Sequence, residues 1–312
     1  MSTSILSLAH PNLIAYASMS LVTGLSLQLE KGDFSGSLIN AAQEQTSNGS
    51  AIRVLADGAV NFGNVLNDLF TSTSAKFSIG FFVKGSNINA LLSKLGDTLH
   101  GEDNRQFMIR ATNGYVGMVY FRSNGIARGV IANQYPINDN ELHHVGISYD
   151  NTLNTNNGLD RVNIYIDAAI AGKELNVNVG SLPDRIDTKS ARLSLGAAIG
   201  AAGPVRYGSE ALFDELRIYN KILSSSEWAE LAAGQQAYQI SGVVEVDFVP
   251  GPAELRLYDA QSGLFIKSHT VGTTGEYELP LPTSDPVYVM CIPSDDGYQA
   301  IVHGPVVPKE AS

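Results

Sequence analysis

The chain predicts an all-β protein of two antiparallel units, a large jelly-roll sandwich followed by a smaller β-sandwich, and three observations predict it. Its 312 residues hold 30 glycines, 13 tyrosines and 11 phenylalanines but only 16% Asp, Glu, Lys and Arg, a composition of short strands joined by turns. Apolar and polar residues alternate in stretches of strand length, each bounded by Gly, Asn or Asp. That rhythm breaks once, at "AAGQQAYQ" (232–239), and resumes with a shorter spacing, which marks a domain boundary.

The elements follow in order. Residues 1–18 carry no charge and no clear period, and are expected to be an arm outside both domains, either disordered or ordered against a neighbouring subunit. The jelly roll is expected over 19–235. In "MSLVTGLSLQLE" Met19, Leu21, Leu25, Leu27 and Leu29 alternate with polar residues, the signature of a half-buried strand pair or one long strand. "KFSIGFFVKG" puts Phe77, Ile79, Phe81 and Val83 on one face, and "RQFMIRA", "GYVGMVYFRS", "HHVGISYD", "RVNIYIDA" and "ARLSLGA" continue the pattern. Strands so spaced, without intervening helices, make a sandwich of ~200 residues rather than a parallel α/β fold. Two stretches read as helical. "NINALLSKL" predicts a short helix over 87–95, and Ser224 with Glu227 has the S-x-x-E spacing of a capping box ahead of Trp228, Leu231 and Ala232. The small sandwich is expected over 239–305, with 306–312 an exposed tail.

Composition also excludes. The formal charge is −11 and the basic residues are scattered, so no stripe exists to neutralise phosphates, and neither nucleic acid nor membrane insertion is expected. Cys291 is the single cysteine, which rules out an intrachain disulfide and a cysteine zinc site; within "VYVMCI" it reads as a buried, inert thiol. The first charged residue is Glu30, so 1–29 lacks the basic start of a secretory signal and is too polar to span a bilayer, and synthesis in the cytoplasm is expected.

Three pieces, in order, carry a resemblance: "NDNELHHVGISYD", "NIYIDA" and "ALFDELRIYNKILSSSEWAEL". Together they resemble the LamG-like, concanavalin A-like jelly-roll family over about residues 20–234, the last being the most specific. Leu142 stands where that family usually has tryptophan, and Ala168 where it has the hairpin glycine after Asp167, so the sheet face built around that tryptophan is expected to be reshaped. "ISGVVEVDFVPGPAELRLYDAQSG", "TTGEYELPLP" and "YVMCIPSDDGYQAIVHGPVVP" are similar to the small Ig-like or carboxypeptidase-regulatory-like domain at the ends of many bacteriophage virion proteins. The pair of resemblances implies a virion structural protein of the tail, fibre or head-decoration class, with other virion proteins and further copies of itself as partners. The alternative is a carbohydrate-binding module for a bacterial surface glycan.

No enzymatic activity is expected. A retaining glycosidase needs two carboxyl groups ~5 Å apart on one face. "EVDFVP" starts the E-x-D-x-x-E spacing at Glu245 and Asp247 but has Pro250 in the sixth place, and Asp214 and Glu215, as strand neighbours, should face apart. The resemblance implies that an aspartate at the position of Asp214 sometimes helps hold a structural calcium ion, although no second ligand is identifiable and an Asp bonding backbone N–H groups serves equally. "DNTLNTNNGLD", 150–160, matches no calcium frame and reads as a solvated hairpin loop. His143 and His144 are adjacent and should face apart, so they do not form a zinc pair. For a sugar, Tyr115, Tyr120, Phe121, Tyr135 and Tyr207 are the aromatic candidates near turns, and no ligand site is singled out.

Overall fold

The computed structural model describes residues 10–19, 22–23, 25–46, 49–95, 105–121, 127–153, 156–179, 186, 191–199, 205–233, 238–246, 249–250, 252–260, 263, 265–281, 286–293, 301–307 and 309–310. They form two compact units, the larger made of Ile14–Thr46 and Ser50–Trp228. In it, one layer of antiparallel neighbours runs from Ala169–Ile170 through Val162–Ile166, Leu142–Asp150 and Lys76–Asn87 to Glu210–Tyr219. The long strand Gly49–Gly63 joins this layer through residues 52–54, turns over, and enters the second layer through residues 60–63. That layer continues through Arg192–Leu195, Ala90–Leu95, Arg105–Thr112, Tyr115–Phe121 and Ala127–Ala132 to Lys173–Val179.

The core between the layers is what the alternation predicts. Phe77, Ile79, Phe81 and Val83 are buried there, opposite Ile109, Val116, Met118 and Tyr120. Aromatic rings bridge the gap, with Tyr149 5.3 Å from Tyr120 and Phe77 6.0 Å from Phe107 between ring centroids.

The outer face of the first layer is also covered. Gly80 and Gly146 stand opposite each other on adjacent strands. Their missing side chains leave a trough, and Trp228 lies in it: a Cβ on Gly146 would be 2.7 Å from the indole, and one on Gly80 3.0 Å. The indole stacks on Tyr165 at 5.1 Å. Its helix, Ser225–Ala233, is capped as the sequence predicts, with Glu227 N–H donating to Ser224 Oγ (3.3 Å) and Ser224 N–H to Glu227 Oε2 (2.8 Å). Ser78, on the same outer face, receives a bond from Leu223 N–H (3.0 Å) and fixes the turn before the helix.

Several expectations change. Residues 87–95 are not a helix: Ala90–Leu95 is a strand buried along its whole length, and a strand covered on both faces loses the alternation that would identify it. The arm expected over 1–18 is in part structural, since Leu13–Ala17 is a strand paired with Glu210–Tyr219; residues 1–9 lie outside the described residues. "MSLVTGLSLQLE" becomes two short strands, Val22–Thr23 and Ser26–Gln28, with Leu27 buried but Leu25 at their turn 74% exposed. The long strands Ser35–Thr46 and Gly49–Gly63 and the short helix Asn67–Thr71 carry no clear period and were not foreseen. The 150–160 stretch is not a purely solvated loop, because Asn151 is buried, accepting from Tyr149 Oη and donating to Thr73 O (both 2.8 Å), and Asn156–Arg161 is a 3-10 helix.

In the other unit, Glu276–Leu281, Tyr238–Val243 and Lys309–Glu310 form one sheet, and Phe265–Val271, Ala253–Asp259, Val287–Pro293 and Ile301–Val306 another. Ile240, Leu255, Leu257, Leu279 and Val287 are among its buried residues, consistent with a small sandwich. The 306–312 stretch is not wholly a free tail, since Lys309 pairs with Gln239. Cys291 is half-buried, and burial pushes its thiol up, away from the reactive thiolate.

Because Trp228 is the single tryptophan, its fluorescence reports the trough alone. Gly146→Val should destabilise the jelly roll by about 1–3 kcal/mol, the usual cost of overpacking, and shift the folded-state emission to the red. Denaturant unfolding followed at the tryptophan emission measures both.

Candidate functional site

The strand registers bring one set of strand ends together at one end of the jelly roll. Lys76–Asn87, Arg105–Thr112, Ala127–Ala132 and Val162–Ile166 finish there, and Ala90–Leu95, Tyr115–Phe121, Leu142–Asp150 and Glu210–Tyr219 begin there. Backbone bonds tie the loops to one another: Ala90 N–H to Tyr207 O (2.9 Å), Ala111 N–H to Asn89 O (2.7 Å), Ile137 N–H to Gly114 O (3.0 Å) and Asn140 N–H to Gly85 O (3.2 Å). Ser209 Oγ accepts from Asn89 N–H (2.8 Å) and donates to Ala90 O (2.7 Å).

This rim is chemically distinct from the rest of the unit. Leu55, Tyr135, Leu142, Ile170 and Tyr207, the larger part of the unit's exposed large apolar side chains among the described residues, all stand on it. Tyr135 is 47% and Tyr207 51% exposed, and each adopts a left-handed backbone, with φ of 61° and 54°. For a bulky residue that conformation costs roughly 1–2 kcal/mol, which the loop bonds offset to hold two phenol rings outward. Exposed Asn113, Asn138 and Asn140 stand among them and supply amide donors and acceptors. A groove of about 360 Å³ reaches the same end along the strands Ser35–Thr46 and Gly49–Gly63, and Leu55, Asn40, Glu44 and Arg53 line it, with Arg53 Nη2 donating to Glu44 Oε1 (3.0 Å).

His143 fastens the loop that carries Tyr135. Its Nδ1 lies 2.8 Å from Asp167 Oδ2 and its Nε2 3.0 Å from Asp139 Oδ1, so one imidazole joins the 133–141 loop to the 166–169 hairpin. The bond to Asp167, aided by the bond to Asp139, holds the imidazole up to about 9 against the opposing effect of burial. Asp167 also accepts His144 N–H at 2.8 Å, and Asp167 and Ala168 are both left-handed, so the hairpin keeps its turn without the glycine. His144 is buried beside Phe82 and Trp228, where burial pushes its imidazole down to about 4.

Of the five aromatic candidates, Tyr135 and Tyr207 are on the rim and exposed. Tyr115 and Phe121 are half-buried, and Tyr120 is a core residue. Leu142, at the position usual for tryptophan, is 40% exposed on the rim, and the outer face it would have covered is occupied by Trp228. The asparagines and His143 were not singled out as a site in the sequence, and nothing in the pattern signals a left-handed tyrosine.

Asp214 lies on the strand Glu210–Tyr219 in the backbone-bonding role that the sequence offered as the alternative to a calcium ligand. It is 7% exposed, and its Oδ1 accepts Glu215 N–H at 2.8 Å. A calcium ion wants six to eight oxygens, and among the described residues no three His, Cys, Asp or Glu side chains converge as a metal site. The expectation that Asp214 and Glu215 face apart is overturned. Four residues of one strand, Asp214 to Arg217, stand against three of its neighbour, Phe82 to Gly80, and Glu215 takes φ 53°, a bulge that brings it beside Arg217. Glu215 is engaged by Arg217 Nη2 (2.9 Å) and Tyr16 Oη (2.8 Å). Glu245 lies in a short hairpin of the other unit, and Asp247 lies outside the described residues.

Among models of known families, the description "Concanavalin A-like lectin/glucanases superfamily" matches residues 54–228, more than half of the chain. The chain belongs to that superfamily. No curated protein sequence matches it. Two solved structures share the fold of this superfamily member at low identity. One is the binding domain of Paraclostridial mosquitocidal protein 1, with 12% identity and a TM-score of 0.51 over 90% of this chain and 75% of that one. The other is the binding domain of botulinum neurotoxin serotype C1, with 11% identity and a TM-score of 0.51 over 91% and 72%.

The His143 clamp gives this concanavalin A-like unit a defined pH response. Because folding raises the imidazole from its ordinary 6.5 to about 9, its contribution is whole below 6.5 and fades as pH rises through 9. The Asp partners are half exposed, so screening limits the effect to at most about 1 kcal/mol. His143→Ala should abolish that pH dependence, read as stability against pH between 6 and 10.

Proposed function

We propose that the jelly roll is a carbohydrate-binding module without catalytic activity, and that its ligand docks on the loop rim. The observation that carries this reading is the pair of tyrosines, Tyr135 and Tyr207, held exposed in strained left-handed conformations at the same end of the sandwich. Sugar recognition uses flat apolar surfaces for the ring faces and fixed amides and carboxylates for the hydroxyls, and the rim offers both. The superfamily description names lectins and glucanases together, and the two solved structures of like fold named above are binding domains. A binding role also suits the carboxylates of the rim: Asp139 and Asp167 are both spent on His143 rather than presented as an acid and a nucleophile. In this reading no metal takes part, and a bacterial surface glycan is the partner.

A more specific setting rests on resemblance. The 239–305 stretch looks like the small domains that end bacteriophage virion proteins, and we place the module in such a particle, as a tail, fibre or decoration component beside copies of itself and other virion proteins. Mass spectrometry of purified virions should find the chain at stoichiometric abundance; its absence would remove this setting and leave the glycan reading intact.

On an array of bacterial glycans the full chain should give selective binding. Tyr135→Ala and Tyr207→Ala should each weaken it about tenfold, as expected for loss of an aromatic anchor, with melting temperatures retained. A blank array, or binding indifferent to both substitutions, would refute the rim as a sugar site. Calcium and a chelator should leave binding and melting unchanged.

A further inference from the structure

The ribbon of strands Ser35–Thr46 and Gly49–Gly63 turns three pairs of side chains away from the core. Arg53 donates through Nε and Nη2 (3.0 Å for the latter) to the two oxygens of Glu44, and Asn40 Nδ2 donates to Asp57 Oδ2 (2.9 Å). Both links fit a single antiparallel register, which sets Ala42 opposite Leu55 between them. Ile52 and Val54 take the core side of the strand, so Leu55, 49% exposed beside an exposed Ala42, has no part in the core. Alternate residues of a strand stand ~7 Å apart, so an apolar step lies between two hydrogen-bonding pairs over ~13 Å. The groove of about 360 Å³ runs over this step. It is also continuous with the rim: a Cβ on Gly208 would lie 1.7 Å from Ala56 O, so the chain at Tyr207 and Gly208 packs backbone to backbone beside Leu55 and Ala56.

We propose that this ribbon is a second sugar subsite, which extends the rim site to a linear, uncharged oligosaccharide; the inference rests on the rim reading of the jelly roll. One ring lies over Ala42 and Leu55 while its neighbour in the glycan stacks on Tyr207. A sugar ring has C–H faces and a hydroxyl edge, and the ribbon repeats that arrangement, apolar in the middle and polar on both sides. Arg53 gives Glu44 two of its five N–H groups, and each carboxylate oxygen keeps a further lone pair, so the pair offers donors and acceptors side by side. Asn40 and Asp57 do the same across the step. Because the partners of each pair already hold one another, less side-chain freedom is lost on binding. Charge sets the class of sugar. Glu44, Asp57 and Glu210, whose charge acts on Arg53, outnumber Arg53 and Lys84, the latter two strands away, and the whole chain carries −11. A glycan bearing carboxylates or phosphates is therefore disfavoured.

NMR titration of the full chain tests this. The probes are single sugars and linear hexamers of glucose, galactose, mannose, rhamnose and N-acetylglucosamine, with galacturonate as the acidic series. Counted per sugar unit, the best neutral hexamer should bind about tenfold tighter than its single sugar, and the acidic series more weakly than the neutral one. Arg53→Ala and Leu55→Ala, both at exposed positions, should each remove most of the hexamer's advantage with melting temperatures retained. Tyr207→Ala should weaken single sugar and hexamer alike and keep their ratio. Equal affinity per unit, a ratio indifferent to Arg53→Ala and Leu55→Ala, or preference for galacturonate would overturn the ribbon subsite and leave the rim reading standing. Binding of none of the probes would count against the rim reading and the subsite with it.

Discussion

The fold depends on one strand that must be buried on both of its faces. Lys76–Asn87 presents Phe77, Ile79, Phe81 and Val83 to the core and Ser78, Gly80 and Phe82 to the outer layer, and all seven are buried. Double burial explains why the outward positions are small or aromatic rather than charged. Ser78 bonds both Ser148 Oγ and Leu223 N–H, and Gly80 with Gly146 makes the trough for Trp228. The capped helix is therefore more than a terminus. It covers the outer face through Trp228, while Leu142 stands exposed on the rim.

A rigid two-layered scaffold is also what makes the strained rim affordable. Each left-handed tyrosine costs free energy that a loose loop would avoid by relaxing, so the loops must be held by partners outside themselves. The backbone bonds from Ala90 N–H to Tyr207 O, from Ile137 N–H to Gly114 O and from Asn140 N–H to Gly85 O do this, and the His143 clamp adds a charged link. Order at the rim lowers the entropy lost on binding, which is the property a shallow binding surface needs most.

The sequence reveals the layers better than the site, for a physical reason. Lys76–Asn87 is buried on both faces yet legible, because its outward positions Ser78 and Gly80 are small and alternate with Phe77, Ile79 and Phe81. In Ala90–Leu95 apolar residues stand next to one another on both faces, so the period is lost and the strand passes for a helix. Gly49–Gly63 is not legible because its pattern is interrupted where the strand changes layers, at residues 55–59. At the rim, Tyr135 and Tyr207 could be picked out as aromatics near turns, but their exposure and their common end of the sandwich arise from pairings many residues apart.

The bulge at Glu215 shows how one local departure redirects chemistry. With strict alternation Glu215 would point into the apolar core, an expensive place for a carboxylate. The extra residue turns it outward, where Arg217 and Tyr16 satisfy both oxygens. Glu215 thus ties the strand Leu13–Ala17 to the layer through Tyr16 while holding Arg217.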